Sequence, residues 1–187
     1  MNQNAKWISA FENNSPVNPE LAGIRKDAVV LEPFCGFGSI PVQIIKKFQC
    51  TKLFVSDIDN EKIEMVSQKK QIKDNSTVDI RVCDAMNLNH VEDNSVDTVI
   101  TDPPWGFFEN IGDISVFYSK MFDSFLRVLK NDGSMTILTA RKEEFEKVGT
   151  VYVATEDGSK GTKGNVMDAI RENNLDAEVI FACGPMP

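Results

Sequence analysis

The sequence predicts a single α/β domain built on a doubly wound, mostly parallel sheet of about seven strands in a three-layer α/β/α arrangement. Short runs rich in β-branched residues alternate with longer stretches of helical periodicity, and turn residues separate the two. No internal repeat or low-complexity linker divides the 187 residues, a length that suits one hydrophobic core. One domain, residues 1–187, is therefore expected.

Five strands are predicted before residue 140: Ala28–Glu32, Lys52–Ser56, Val78–Val82, Val96–Thr101 and Ser134–Thr139. Helices are predicted at Ile40–Phe48, Asn60–Ile72 and Ser115–Leu129, the last with an apolar face that indicates core packing. Residues 1–14 are polar and predicted to fray, and a short helix is predicted to start near Asn18. Four further elements are predicted toward the C-terminus: Arg141–Val148 and Asn165–Asn173 as helices, Thr150–Thr155 and Glu178–Ala182 as strands.

Composition and charge exclude several functions. No apolar run approaches the roughly 18 residues of a membrane span, and the N-terminus lacks signal-peptide features, so a cytoplasmic location is expected. The net charge of −8 argues against nucleic-acid binding through bulk phosphate neutralisation. Four cysteines without a CxxC pair predict neither a metal site nor disulfides, and the single histidine disfavours mechanisms that need two imidazoles.

The first chemical motif is the turn Glu32-Pro-Phe-Cys-Gly-Phe-Gly38, which follows the first predicted strand and leads into a helix. Glycines at such a turn let the backbone approach a ligand closely, although a purely structural turn is about equally common. After the second strand, Asp57 is placed to accept the hydroxyls of a ribose, and Asp59 is placed to cap the next helix. Asp84, after the third strand, is either an acceptor for an adenine amine or an ordinary turn residue.

The sharpest motif is Asp102-Pro-Pro-Trp105, directly after the fourth strand. Two prolines fix φ and remove two N–H donors, so the loop presents rigid carbonyl acceptors beside a carboxylate. Such a group can hold both hydrogens of a planar NH₂, while Trp105 offers a face for stacking. The alternative is a Pro-Pro strand stop with a buried tryptophan.

In their order and strand positions, these motifs resemble class I S-adenosylmethionine-dependent methyltransferases with a Rossmann-like fold. The phrases around Glu32, Asp57 and Asp102 look most like the catalytic domains of THUMP-associated RNA guanine-N2 methyltransferases, over about residues 15–148. The family has Asp more often at position 32 and Tyr or Phe more often at position 105, which leaves the target base open.

The resemblance implies S-adenosyl-L-methionine as cofactor and assigns two sets of site residues. Cofactor binding is expected from Glu32, Pro33, Phe34, Cys35, Gly36, Gly38, Asp57, Ile58, Asp84, Ala85 and Asp102. The catalytic set expected to hold the base is Asp102, Pro103, Pro104 and Trp105. The implied substrate is RNA, a tRNA or an rRNA, bound weakly because no separate RNA-binding domain is present.

A second resemblance begins near residue 149. Residues 149–187 look like the end of the nucleotide-binding domain of the type B dihydroorotate dehydrogenase electron-transfer subunit, which suggests a chimera of two α/β families. Two alternatives to methyl transfer follow: a fold-only protein that binds the cofactor without turnover, and a nicotinamide-nucleotide-binding reductase fragment.

Overall fold

The computed structural model describes residues 6–9, 24–107, 111–137, 154–155, 158–159, 161–164 and 172. The predicted helices near Asn18 and at Arg141–Val148, and the predicted strand Glu178–Ala182, lie outside these residues, as does all but one residue of the helix predicted at Asn165–Asn173. Among the described residues, no helix is long and apolar enough to cross a membrane.

A six-stranded sheet, parallel throughout, forms the centre of the described part, against about seven strands expected. The elements in chain order are β1 (Lys6–Ser9), β2 (Ala28–Glu32), α1 (Ser39–Lys47), β3 (Cys50–Asp57), α2 (Asn60–Ser67), β4 (Val78–Val82), β5 (Val96–Thr101), α3 (Ile114–Val128) and β6 (Leu129–Ile137). The strand order is β1-β6-β5-β2-β3-β4. A separate parallel pair joins β7 (Ala154–Thr155) and β8 (Thr162–Lys163).

Helices cover both faces of the sheet, which confirms the predicted three layers. On one face, Ile44 of α1 and Val66 of α2 are fully buried in a core that includes Val30 of β2. On the other face, Met121 and Phe125 of α3 are fully buried in a core that includes Leu31. Val30 and Leu31 are consecutive, so the alternation of a strand distributes one sequence run between two cores.

The helix and strand bounds differ from the prediction by one or two residues in α1, β3 and α3, and by five residues at the end of α2 and the start of β6. Helix α2 ends at Ser67, because Lys69 and Ile72 donate to carbonyls only three residues back and the chain continues in tight turns. Strand β6 begins at Leu129 rather than Ser134, with an irregularity opposite Val96–Thr98. Gly133 allows this irregularity, since a Cβ there would stand 2.7 Å from the Leu129 side chain.

The fraying expected for residues 1–14 is wrong for Lys6–Ser9. These four residues form β1, which pairs in parallel with Ser134–Ile137 of β6. Backbone hydrogen bonds to the edge of an existing sheet do not require an apolar sequence, so composition alone could not reveal this strand.

Candidate functional site

The candidate site lies where β2 and β5 end side by side. From β2 the chain runs outward to β3 and β4 on one side, and later to β5 and β6 on the other. Ligands of open α/β sheets bind at such a switch point, beyond the carboxyl ends of the strands. The motifs that follow β2, β3, β4 and β5 are therefore brought to one edge of the sheet.

The glycine turn has two distinct glycines. Gly38 has φ +77°, and a Cβ there would stand 2.9 Å from the Val66 side chain, so this glycine permits close packing of the turn on α2. Gly36 has φ +51°, and a Cβ built there would meet nothing within 4 Å. The backbone at Gly36 therefore borders open space that a ligand can enter.

Asp57 holds this turn in place. The backbone N–H of Gly36 donates to Asp57 Oδ2 at 2.9 Å, and the N–H of Asp59 donates to Oδ1 at 3.0 Å. Lys62 Nζ lies 3.9 Å from Oδ1. Asp57 is 6% exposed, so this buried carboxylate fixes the backbone beside the open space at Gly36. A ribose would share a carboxylate that already accepts two backbone donors, which is possible because each oxygen has two lone pairs.

Asp59 caps α2, as predicted. Its Oδ1 accepts the N–H groups of Glu61 at 2.9 Å and Lys62 at 3.4 Å. The two aspartates therefore have separate roles in the structure: Asp57 faces the glycine turn, and Asp59 satisfies the first turn of the helix.

Glu32 is fully buried beneath the turn. Its Oε1 accepts the hydroxyl of Thr101 at 2.6 Å and the N–H of Phe34 at 3.0 Å, and its Oε2 has no protein partner. The pKa of Glu32 is raised from 4.5 to about 8, mainly by burial and to a lesser degree by the carboxylates of Asp102 and Asp57, while the two hydrogen bonds oppose the rise. Glu32 is therefore mostly protonated at neutral pH.

Cys35 and Phe34 line the turn without reactive chemistry. Cys35 is 5% exposed, and burial, together with the carboxylates of Glu32 and Asp57, raises the pKa of its thiol, so it does not supply a thiolate. The ring of Phe34 packs against α3, with ring centroids 6.0 Å from Phe117 and 6.4 Å from Phe125. Both side chains anchor the turn to the sheet and its helix.

Beyond β3 and β4, the residues expected to bind the cofactor are placed differently from one another. Ile58 is 71% exposed at the edge, an apolar side chain available to a ligand. Asp84 Oδ1 accepts the N–H of Met86 at 2.9 Å, the geometry of an Asx turn, and Ala85 is buried. Asp84 thus has the turn role that the sequence left open, and its role toward adenine stays a prediction.

The Asp102–Trp105 loop continues from β5. Asp102 is exposed, Pro103 is buried, and Pro104 and Trp105 are half-buried. The Pro104 carbonyl accepts the hydroxyl of Tyr118 at 3.4 Å. Trp105 packs on the core beneath α1 and α2, and its ring stands edge-on to Phe107 at 6.5 Å. The loop therefore exposes the carboxylate of Asp102 to solvent, and the two prolines that follow restrict the backbone beside it.

The sequence motifs missed several residues of this edge. Thr101 donates a hydrogen bond to Glu32, and Tyr118 donates one to the Pro104 carbonyl. Both partners are distant in sequence, so local patterns do not indicate these contacts. Phe37 is 63% exposed and Phe107 is 55% exposed. The exposure of Phe37 was predictable, because a residue between two glycines of a turn does not lie on a helix or strand that packs on the core.

The carboxyl ends of β2, β3 and β5 bring three acidic residues together. The carboxylates of Asp57 and Asp102 are close enough to Glu32 to raise its pKa, and Gly36 borders open space. In the described residues no group of His, Cys, Asp and Glu could hold a metal ion. A surface cavity of about 370 Å³, lined by residues such as Arg25 and Lys130, lies at the opposite end of the sheet and contains none of the predicted site residues.

A family model described as the RMKL-like methyltransferase domain matches residues 19–157. The chain belongs to this family. This membership confirms the methyltransferase class and, with it, S-adenosyl-L-methionine as the cofactor. The acidic edge and the open space at Gly36 suit a cofactor with a sulfonium and an ammonium group.

Solved structures confirm the fold class. TrmN from Thermus thermophilus aligns with a TM-score of 0.59 and 22% identity, over 71% of this chain and 39% of that chain. A protein from Methanococcus maripaludis, assigned as an S-adenosyl-L-methionine-dependent methyltransferase, aligns with a TM-score of 0.52 and 20% identity, over 70% of this chain and 58% of that chain. At these identities the likeness establishes a shared fold.

Curated relatives match only a short segment of the chain. The electron transfer subunits of dihydroorotate dehydrogenase B (NAD(+)) from Bacillus caldolyticus and Geobacillus kaustophilus are 50% identical over 46 residues, 25% of this chain. The chain spans 18% of the length of each of these relatives. The similarity to these subunits is thus confined to about a quarter of this chain.

Proposed function

We propose that this protein transfers a methyl group from S-adenosyl-L-methionine to an exocyclic amino group of a nucleobase in RNA, with guanine N2 as the predicted target. One observation carries the proposal: the Asp102–Trp105 loop leaves β5 directly beside the glycine turn of β2. A carboxylate, rigid carbonyls and an aromatic ring then lie next to the glycine turn. In this proposal the carboxylate and carbonyls accept hydrogen bonds from a planar amine, and the ring stacks on its base.

The bound cofactor supplies an electrophilic methyl group on a positively charged sulfur. Asp102 and the Pro103 carbonyl accept hydrogen bonds from the two N–H groups of the base, which favours a pyramidal nitrogen and directs its lone pair toward the methyl carbon. As the new N–C bond forms and the S–C bond breaks, positive charge develops on nitrogen. The carboxylate of Asp102 stabilises that charge by position and electrostatics, without a strong general base, and the methylated nitrogen then releases its extra proton to water.

The remaining residues bind and orient. In this proposal the open space at Gly36 accommodates the methionine part, the exposed Ile58 packs on the adenine, and Asp57 accepts the ribose hydroxyls while it holds the turn. Trp105 stacks on the target base. RNA capture is weak because the net charge is −8, and the concentration of lysines around Lys69 and Lys70 is the one cationic region that the sequence offers.

The proposal is tested with tritiated S-adenosyl-L-methionine and short single-stranded RNA oligomers that contain guanine or adenine as the only amino purine. Asp102→Ala should abolish methyl transfer even at saturating S-adenosyl-L-methionine, with the cofactor affinity of the variant measured separately by calorimetry. Asp102→Asn, which keeps one acceptor oxygen but loses the charge, should retain a small fraction of the rate. Transfer at the wild-type rate in Asp102→Ala would remove this residue from catalysis.

The 46-residue match to the dihydroorotate dehydrogenase subunits favours a second candidate function. In that candidate, the segment around Gly158–Gly164 and Cys183 binds a nicotinamide nucleotide, and the chain joins parts of two α/β families. Titration with a reduced nicotinamide cofactor, followed by its fluorescence, tests the binding. A genomic reading frame that continues without interruption through residues 148 and 149 would contradict the chimeric origin.

A further inference from the structure

The Asp102–Trp105 loop depends on its carbonyls for anchoring. Pro103 and Pro104 have no N–H, so neither can donate a backbone hydrogen bond to a neighbouring strand or turn. Their ring-locked φ angles leave ψ as the soft backbone dihedral at each position. At these two positions, backbone hydrogen bonds can therefore reach the loop only through its carbonyl oxygens.

Tyr118 provides such a donor from helix α3. Its hydroxyl donates to the Pro104 carbonyl at 3.4 Å, and the residue is 1% exposed. The ring is fixed by neighbours on the same helix, with centroids 5.7 Å from Phe117 and 6.1 Å from Phe122. The N-terminus of the helix is capped, because Asp113 Oδ1 accepts the N–H groups of Ser115 and Val116. The donor is thus held in one place.

This hydrogen bond reaches Trp105 through a single peptide unit. The C=O of Pro104 and the N–H of Trp105 belong to one rigid plane, so fixing the carbonyl direction fixes the plane from which the Trp105 side chain departs. At the other end of the loop, Thr101 is fixed by its hydrogen bond to Glu32. Asp102 therefore lies between two hydrogen bonds from buried side chains, and Trp105 follows directly after the second.

We propose that Tyr118 is a positioning residue for base binding: its hydroxyl holds the Pro104 carbonyl and thereby orients Trp105 and the carboxylate of Asp102 toward the same base. This inference rests on the proposed function for the identity of the ligand. The orientation of Trp105 itself is independent of that function and can be measured without a methylation assay.

The experiment uses Trp105 as the reporter. The 187-residue chain has two tryptophans, so Trp7→Phe in this chain leaves Trp105 as the only one. In this background, Tyr118→Phe keeps the ring and removes the hydroxyl. The matched control is Ser124→Ala on the same helix, because the Ser124 hydroxyl is buried without a protein partner. Acrylamide quenching reports the accessibility of Trp105, and titration with guanosine 5′-monophosphate reports base stacking.

With Tyr118→Phe, we expect the quenching constant of Trp105 to change by at least about twofold and the affinity for the nucleotide to fall by about fivefold, the equivalent of one ordinary hydrogen bond. Affinity for S-adenosyl-L-methionine should change by less than about twofold, and Ser124→Ala should leave all three values unchanged. Unchanged Trp105 quenching in Tyr118→Phe, or an equal change in Ser124→Ala, would overturn the proposal. A wild-type protein that does not bind the nucleotide would contradict the proposed function, and the quenching comparison would still decide the role of Tyr118.

Discussion

The hydroxyl of Thr101 donates a 2.6 Å hydrogen bond to the buried carboxyl group of Glu32. This bond joins the last residue of β5 to the last residue of β2, one position before the Asp102 loop and at the start of the glycine turn. The two halves of the site are thus connected below the surface by a group whose charge depends on pH. Several measurable consequences follow from this edge of the sheet.

Glu32 should make the folded state less stable as the pH rises. Its pKa is about 8 in the folded protein and near 4.5 when unfolded, so between these values only the folded state keeps the proton. The stabilising contribution is complete below the unfolded pKa and is lost as the pH rises through the folded pKa. Between about pH 5 and pH 8, the loss is roughly 1.4 kcal/mol per pH unit at most.

Urea unfolding from pH 5 to pH 9 measures this effect as the difference between wild type and Glu32→Gln. Glutamine does not titrate, so the wild type should lose stability relative to this variant as the pH rises. The control is Glu92→Gln, which removes an exposed carboxylate far from the site. Parallel pH profiles for wild type and Glu32→Gln would mean that Glu32 is ionised in the folded protein at neutral pH.

Asp57 and Asp59 should separate cofactor binding from helix capping. Asp57→Ala removes the acceptor for the Gly36 N–H and the predicted ribose ligand, so cofactor affinity should fall at least about tenfold, since hydrogen bonds to a carboxylate each contribute about 1.5–3 kcal/mol. Asp59→Ala removes the cap of α2 and should cost about 1 kcal/mol of stability while sparing the affinity. Calorimetry and thermal unfolding measure both quantities. Undiminished affinity in Asp57→Ala would exclude the ribose role.

Alanine at the two turn glycines should give unequal losses of stability. Both positions have positive φ, so each substitution costs about 1 kcal/mol in backbone strain. At Gly38 the new Cβ also overlaps the fully buried Val66, which adds about 1–3 kcal/mol. Chemical denaturation should therefore rank Gly38→Ala as the less stable variant. The reverse order would show that the turn does not pack on α2 as described.

Ile58 should contribute to cofactor affinity without contributing to stability. It is 71% exposed, so Ile58→Ser removes little buried area from the folded protein but removes the predicted contact with adenine. We expect about fivefold weaker binding of S-adenosyl-L-methionine, from about 1 kcal/mol of lost apolar contact. Met65→Ser is the control, since Met65 is 59% exposed on α2. Equal affinities for Ile58→Ser and wild type would remove Ile58 from the adenine contact.

The sequence predicted the exact bounds of three of the four strands that lead into the site. β2, β4 and β5 have the predicted bounds, because each β-branched run stops at a proline, a cysteine–aspartate pair or an Asp-Pro turn that cannot extend it. The cap at Asp59 was also predictable from local sequence, because an aspartate directly before a helix can accept its first N–H groups. The start of β6 was not, since Asn131–Gly133 has turn composition and only the Leu129 side chain explains the irregularity. The roles of Thr101 and Tyr118 depend on partners on other elements, which local patterns do not encode.

The pairing of β1 with β6 has a consequence for how the chain reaches its fold. Lys6 lies opposite Ser134, so the first strand cannot dock until almost the whole described sheet has been synthesised. Contacts between such distant residues form slowly, because the long intervening loop must close first. During translation the outer edge of β6 therefore stays open after β5 and β6 have paired. We expect amide exchange during refolding to protect β2, β3 and β5 first and Lys6–Ser9 last.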